Sequence, residues 1–114
     1  MATIKSFTSL EQSMKLAEIL PIESADVVWV YSAFEDDYFP HFLGFRKIVV
    51  GGKDIKAWSL AALLAILPSV KALIHDKGNL GYKCICNNMD TYFHDNPVDA
   101  CVEMIIKLHE QKLL

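Results

Sequence analysis

The stretch NPVDACVEMIIKL, residues 96–108, has the start signal and the apolar pattern of an amphipathic helix. Asn96 is an N-cap residue type, Pro97 fits the first helical position, and the Asp99 carboxylate suits the positive end of the helix dipole. The apolar side chains recur with the period of one helix face: Val98, Cys101, Met104, Ile105 and Leu108. We therefore predict a helix that runs almost to the C-terminus and buries that face.

Two earlier segments also predict helices. Thr8 and Glu11 have the spacing of a capping box and precede a helix over residues 9–20, which Pro21 stops. Ser59 can cap a helix over residues 60–67, which is apolar on all sides. A soluble chain must bury such a helix on most sides or cover half of it with another subunit.

Four runs of sequence predict strands. Residues 26–34 are rich in β-branched and aromatic side chains and too continuously apolar for one wet face, which indicates a strand covered on both sides. Residues 45–50 form a second apolar run, and we expect the two runs to pair as an antiparallel hairpin. A strand at 80–86, a turn at Asn87-Asn88 and a short strand at 91–93 predict a second hairpin.

The predicted order is helix, two strands, helix, two strands, helix. Parallel strands need a helical crossover of about a dozen residues between every two strands, and this order lacks that arrangement. We therefore predict a single α+β domain over residues 1–114, with a mainly antiparallel sheet and the helices packed against it.

Three blocks of the chain resemble a known family. The blocks are TSLEQS at 8–13, AWSLAALL at 57–64 and DNPVDACVEMI at 95–105. The family consists of small uncharacterised proteins from Bacteroidetes genomes, often encoded in phage-like or other mobile regions, and its members tend to carry Pro where this chain has Lys56. The resemblance implies a shared fold and habitat. It implies no activity and no site residue.

Composition and charge exclude several classes of protein. The chain has 114 residues, of which 53% are hydrophobic, and a formal net charge of −3. No run of Lys or Arg concentrates positive charge, which argues against a nucleic-acid partner. The longest uncharged stretch, 57–70, is shorter than the roughly 20 residues of a membrane helix, so we expect no membrane association. Three cysteines, an odd number, favour reduced thiols and a cytoplasmic protein.

Candidate catalytic and metal-binding residues are few. Cys84 and Cys86 share one side of a strand and His94 follows the next strand, but a zinc site needs a fourth ligand from Cys101 or His75 without paired spacing. A Cys86, His94 and Asp95 arrangement lacks the exposed, electropositive setting of a reactive thiol. We therefore expect no metal, no cofactor and no catalytic residue.

The densest local feature is a run of aromatic residues. Residues 29–45 contain Trp29, Tyr31, Phe34, Tyr38, Phe39, Phe42 and Phe45. Tyr38, Phe39 and Phe42 flank Pro40 in an expected surface loop at 35–45, beside acidic residues. This composition is typical of a protein contact surface, and the alternative is a loop folded over the sheet as a lid.

Two functions remain open from the sequence. The first is a small non-enzymatic interaction or accessory protein of a phage-like or mobile element, in which Tyr38, Phe39 and Phe42 bind a protein partner or a second copy of the chain. The second is an enzyme or small-ligand-binding protein with a pocket lined by four residues: Tyr82, Cys84, His94 and Asp95.

Overall fold

Two antiparallel sheets of three strands and three α-helices make up the described structure. The computed structural model describes residues 5–42, 53–68, 71–76, 78 and 81–114. The first half contains α1 (Leu10–Ala17), a 3₁₀ turn (Ile22–Ser24), β1 (Val27–Ser32), β2 (Asp37–Phe42), β3 (Ile55–Ala57) and α2 (Leu60–Ile66). The second half contains β4 (Lys71–Asp76), β5 (Gly81–Cys86), β6 (Met89–Asp90) and α3 (Pro97–Glu110). The sheet orders are β2-β1-β3 and β4-β5-β6.

This architecture confirms the predicted α+β fold with antiparallel sheets. Three of the six strands in the described residues, β2, β3 and β4, were not predicted, and the predicted strand at 45–50 lies outside the described residues. None of the helices in the described ranges has the length and apolar character required to cross a bilayer.

Helix α3 forms as predicted and supplies much of the core. The Asn96 side chain accepts a hydrogen bond from Asp99 N at 2.9 Å, and Pro97 occupies the first turn. The predicted apolar face is fully buried, with no exposure at Val98, Cys101, Met104, Ile105 or Leu108. This face packs on β5 and α2, so the last helix covers one face of the second sheet.

The capping box of α1 lies one residue later than predicted. Ser9 is the N-cap, and it exchanges hydrogen bonds with Gln12, while Glu11 takes no part. The helix ends at Ala17, before the predicted end at 20. Thr8 does not cap this helix because its hydroxyl is buried and used elsewhere.

Thr8 joins the N-terminal segment to Trp58. Thr8 N donates to Trp58 O at 2.9 Å, and Thr8 Oγ1 accepts from Trp58 N at 3.1 Å. The Trp58 indole N–H donates to Ser24 Oγ at 2.9 Å, and both Thr8 and Trp58 have no exposed surface. A fully buried tryptophan with all these polar groups satisfied holds the segment before α1 against the segment before α2.

Helix α2 begins as predicted but is less buried than predicted. Ser59 Oγ accepts from Ala62 N, and Asp26 accepts from both Ser59 N and Ser59 Oγ. Within the helix only Leu63 is fully buried, and Ala61 and Ala65 are exposed. Exposing the small alanine side chain costs little free energy, so this alanine-containing helix needs a covering element on only one side.

The first sheet differs from the predicted hairpin. Strand β1 pairs with residues 37–42, and the predicted partner at 45–50 lies outside the described residues. The segment 37–42 is therefore a strand and not a loop as predicted. Val27 and Val28 point to opposite faces of β1 and are both buried, whereas the other four residues are half-buried, so the predicted cover on both sides holds only for the start of the strand.

The second sheet contains the predicted turn but an earlier return strand. Asn87 and Asn88 have φ values of 51° and 65°, which two-residue hairpin turns require and which asparagine tolerates. The return strand therefore starts directly at Met89, and the predicted strand at 91–93 is not a strand. The Thr91 hydroxyl instead accepts a hydrogen bond from Cys84 N at 3.0 Å.

Asp99 connects α3 to the N-terminal segment. Its carboxylate accepts hydrogen bonds from Lys5 at 2.7 Å, from Gln12 at 2.6 Å and from Asn96 at 2.8 Å. Partial burial acts to raise the pKa of Asp99, but these donors, together with the charge of Lys5, outweigh burial and lower the pKa.

Replacing Thr8 by Val keeps the shape of the side chain and leaves the buried Trp58 N–H without an acceptor. We expect the free energy of unfolding in urea to fall by about 1–3 kcal/mol. The control is Thr8→Ser, which retains the hydroxyl and loses only a methyl group. Equal stability of Thr8→Val and the wild type would contradict this role of the hydroxyl.

Replacing Asp99 by Asn should lower the stability at neutral pH by about 1–2 kcal/mol. Because the pKa of Asp99 is lower in the folded state, its stabilisation is present above the ordinary pKa of 3.8 and is lost as the pH falls through the lowered value. Urea unfolding of both proteins from pH 7 to pH 2 checks this. The difference between them should shrink on acidification, and a constant difference would contradict it.

Candidate interaction surface on the first sheet

Strand β2 is the most exposed strand of the described structure. Phe39 is 40% exposed and Phe42 is 61% exposed, while Tyr38 is half-buried. Pro40 and His41 are also exposed, and Phe34, in the turn before the strand, is 98% exposed. These exposures favour the contact-surface interpretation over a packed lid.

The three predicted contact residues lie on two faces of the sheet. Side chains alternate along a strand, so Tyr38 and Phe42 share one face and Phe39 points to the other. The face with Tyr38 and Phe42 also carries Trp29 and Tyr31 of β1. We call this surface, completed by Phe7, the aromatic face.

Ring contacts order the aromatic face. Phe7 contacts Trp29 edge to face with ring centres 5.6 Å apart, and it contacts Phe42 in the same way at 6.0 Å. Tyr38 lies 5.3 Å from its cross-strand partner Tyr31. Aromatic pairs at these separations contribute about 0.5–1.5 kcal/mol each, so these contacts hold the Phe42 and Tyr38 rings against their neighbours.

Polar contacts fix the β1 side of this face. The Trp29 indole N–H donates to Thr8 O at 3.1 Å, which connects the face to the buried Thr8 and Trp58 pair. The Tyr31 hydroxyl donates to Asp36, and this hydrogen bond raises the pKa of Tyr31. The Lys53 ammonium lies 4.4 Å above the Tyr31 ring.

The outer edge of β2 is closed to an added strand. Tyr31 N donates to Asp54 at 2.8 Å on the β3 side, so the main-chain groups of its partner Tyr38 point away from β1. By alternation the groups of Pro40 and Phe42 also point outward. Asp37 accepts from Tyr38 N at 2.8 Å, and Pro40 has no N–H. Of the three outward-facing residues of β2, only Phe42 offers an incoming strand an N–H for which the described residues supply no acceptor.

Acidic residues border the aromatic strand. Glu35 and Asp36 lie in the turn and Asp37 begins β2, and all three are exposed. Asp36 has a φ of 51°, a conformation that aspartate tolerates in a turn. The surface therefore combines exposed rings with negative charge.

The three cysteines lie in the core. Cys84 and Cys86 are 1% exposed and Cys101 is fully buried. A hydrogen bond between the Cys84 and Cys101 thiols, with burial, raises the pKa of Cys101, and burial raises the pKa of Cys86. No cluster of three His, Cys, Asp or Glu side chains able to hold a metal occurs in the part of the chain that the structure describes.

His94 pairs with Glu103, a residue that sequence reasoning missed. His94 Nε2 lies 2.6 Å from Glu103 Oε1, and Lys107 lies 3.1 Å from the other oxygen. Burial acts to raise the pKa of Glu103, but the hydrogen bonds from His94, Lys107 and Tyr92 N outweigh it and lower the pKa. The spacing of Glu103 and Lys107 at i and i+4 on α3 is a sequence signal for that ion pair, but nothing local indicates His94.

The alternative pocket region is closely packed. Tyr82 and His94 exchange main-chain hydrogen bonds of 2.7 Å. At Gly81, with φ of 91°, a Cβ atom would lie 2.1 Å from His94 O, so the chains approach too closely for any other residue. Cys84 faces the core, and Asp95 is exposed. This filled region weighs against a pocket lined by these residues.

Comparisons of the chain with protein-family models, with curated proteins and with solved structures gave no significant match.

The burial of the thiols has a chemical consequence. We expect iodoacetamide to modify Cys84, Cys86 and Cys101 at least about a thousand-fold more slowly in the native protein than in urea, because modification requires opening of the core. Mass spectrometry of the peptides over time measures each rate. Rapid native modification of any of the three would contradict the packing described here.

Proposed function

We propose that this chain is a non-enzymatic protein that binds a protein partner through strand β2. The observation that carries the proposal is the exposure of the Phe39 and Phe42 rings on a strand that, within the described residues, pairs with β1 alone. Exposed aromatic residues are enriched at the centres of protein interfaces because they bury large areas at small entropic cost.

The chemistry of the surface defines the partner. Rings on both faces of β2 favour a partner with an apolar groove that receives the strand, and not one that adds a strand to the closed edge. The acidic residues Glu35, Asp36 and Asp37 favour basic residues at the rim of that groove.

The setting of the protein is part of the proposal. The resemblance to mobile-element proteins of Bacteroidetes suggests an accessory protein of a phage-like element. The odd number of cysteines, all three of which are buried, supports a reducing compartment, the cytoplasm. The identity of the neighbouring genes tests whether the protein belongs to a phage-like element. Fractionation of host cells tests whether it lies in the cytoplasm.

The test replaces Tyr38, Phe39 and Phe42 together by Ser. We expect the triple variant to stay folded by circular dichroism and to lose the protein that the wild-type chain retains stoichiometrically from a host extract. The matched control is Tyr92→Ser, since Tyr92 is 79% exposed in the other half of the molecule and should not matter.

Two further variants separate the faces. Phe39→Ser alone and Phe42→Ser alone should each weaken binding by about ten-fold or more if the partner contacts both faces of β2. Retention of the same protein by the triple variant would refute the proposal. Unfolding of the triple variant would show that the three rings are part of the core.

A further inference from the structure

Strand β4 forms one edge of the second sheet. Its neighbour β5 has β4 on one side and β6 on the other. The residues that follow β6 continue to bond to β5 on that second side: Thr91 N donates to Cys84 O at 3.0 Å, and His94 N donates to Tyr82 O at 2.7 Å. In the described part of the chain, no strand pairs with the free side of β4.

The direction of the β4 main-chain groups follows from these bonds. Because Tyr82 and Cys84 turn their N–H and C=O groups away from β4, the alternating residues of β5 turn theirs toward it. The β4 residues opposite those alternating residues are Ala72, Ile74 and Asp76. The β4 residues whose N–H and C=O groups point outward are Lys71, Leu73 and His75.

The outer edge of β2 is blocked by the Asp37 side chain and by Pro40, and the edge of β4 has no such feature. All six residues of β4 pair one to one with β5, without a bulge or a proline. The Lys71 ammonium donates to Pro68 O at 3.2 Å and so does not guard the edge. On the outer face of the sheet the edge is apolar, with Ala72 exposed and Ile74 38% exposed. Strands of this kind readily pair with another strand.

We propose that β4 pairs antiparallel with β4 of a second copy of this chain, which joins the two second sheets into one continuous sheet. A two-fold axis at Leu73 uses all the outward-facing groups. Leu73 then pairs with Leu73 of the second copy, and Lys71 pairs with His75 of the second copy.

Self-complementarity identifies the second copy as the occupant. In this register Ala72 lies opposite Ile74 of the second copy, so the exposed apolar side chains cover each other on the outer face. Residues 71–75 contain no acidic side chain, so no two carboxylates face each other in this register.

Sedimentation velocity of the full chain over a range of concentrations tests the proposal. We expect a concentration-dependent dimer. Amide hydrogen exchange should slow at Leu73 and His75 as the protein concentration rises, because their N–H groups become paired, and it should not change at Tyr38 or Phe42. A monomer up to millimolar concentration would overturn the proposal.

A charge pair tests the register. Ala72→Glu with Ile74→Glu places like charges opposite each other across the axis, and it should weaken dimerisation by about a hundred-fold. The matched double variant, Ala72→Lys with Ile74→Glu, places opposite charges in the same positions and should dimerise at least about ten-fold more tightly than the first variant. Equal dimerisation of the two would overturn the register.

His75→Pro removes an outward N–H that the chain's own sheet does not use. We expect dimerisation to weaken by roughly ten- to a hundred-fold, since each dimer loses that donor twice. Thermal unfolding of the monomer checks that the variant folds. A dimer that persists in His75→Pro and disappears in the Tyr38, Phe39 and Phe42 variant would assign dimerisation to β2 and refute pairing through β4.

Discussion

The contact between Thr8 and Trp58 is the constraint on which the rest of the structure depends. Two main-chain segments far apart in sequence meet there, and both side chains are completely removed from solvent. Trp58 stands directly between the end of β3 and the cap of α2, and Thr8 stands directly before the cap of α1. Fixing these two residues therefore positions two helices and one sheet at once. The acceptors at Ser24 and Asp26 extend the same network to the start of β1.

The position of Thr8 also explains how rings can stay exposed and still be ordered. Phe7, its neighbour, is brought against Trp29 and Phe42, and the indole of Trp29 is held by the Thr8 carbonyl. The order of β2 therefore comes from contacts on one side of the strand, whereas the core is completed by other elements. The α3 face and the cysteines of β5 bury one another without help from β2. Stability and the proposed binding surface thus rest on different parts of the molecule.

The sequence predicted what depends on neighbouring residues and missed what depends on distant ones. Helix α3 was predictable because its cap, its proline and its apolar period all lie within the helix itself. The capping box of α1 was placed one residue early because Thr8 and Ser9 are both suitable caps, and only the distant Trp58 decides between them. Strand β4 has no strong alternation of polar and apolar residues, and its place is set by pairing with β5. Composition left open whether Tyr38, Phe39 and Phe42 form a contact surface or a lid folded over the sheet, and the strand that carries them was predicted as a loop. The contact of His94 with Glu103 joins two elements and leaves no pattern that a single sequence reveals.

The separation of β2 from the core bears on how such a chain can change over generations. Because Val27 and Val28 carry the burial of β1, replacements in residues 37–42 alter the proposed binding surface without opening the interior. If the proposed partner diverges, single substitutions in β2 can therefore follow it while the same core keeps the fold. Variation among descendants should accumulate in this strand and remain rare around Trp58.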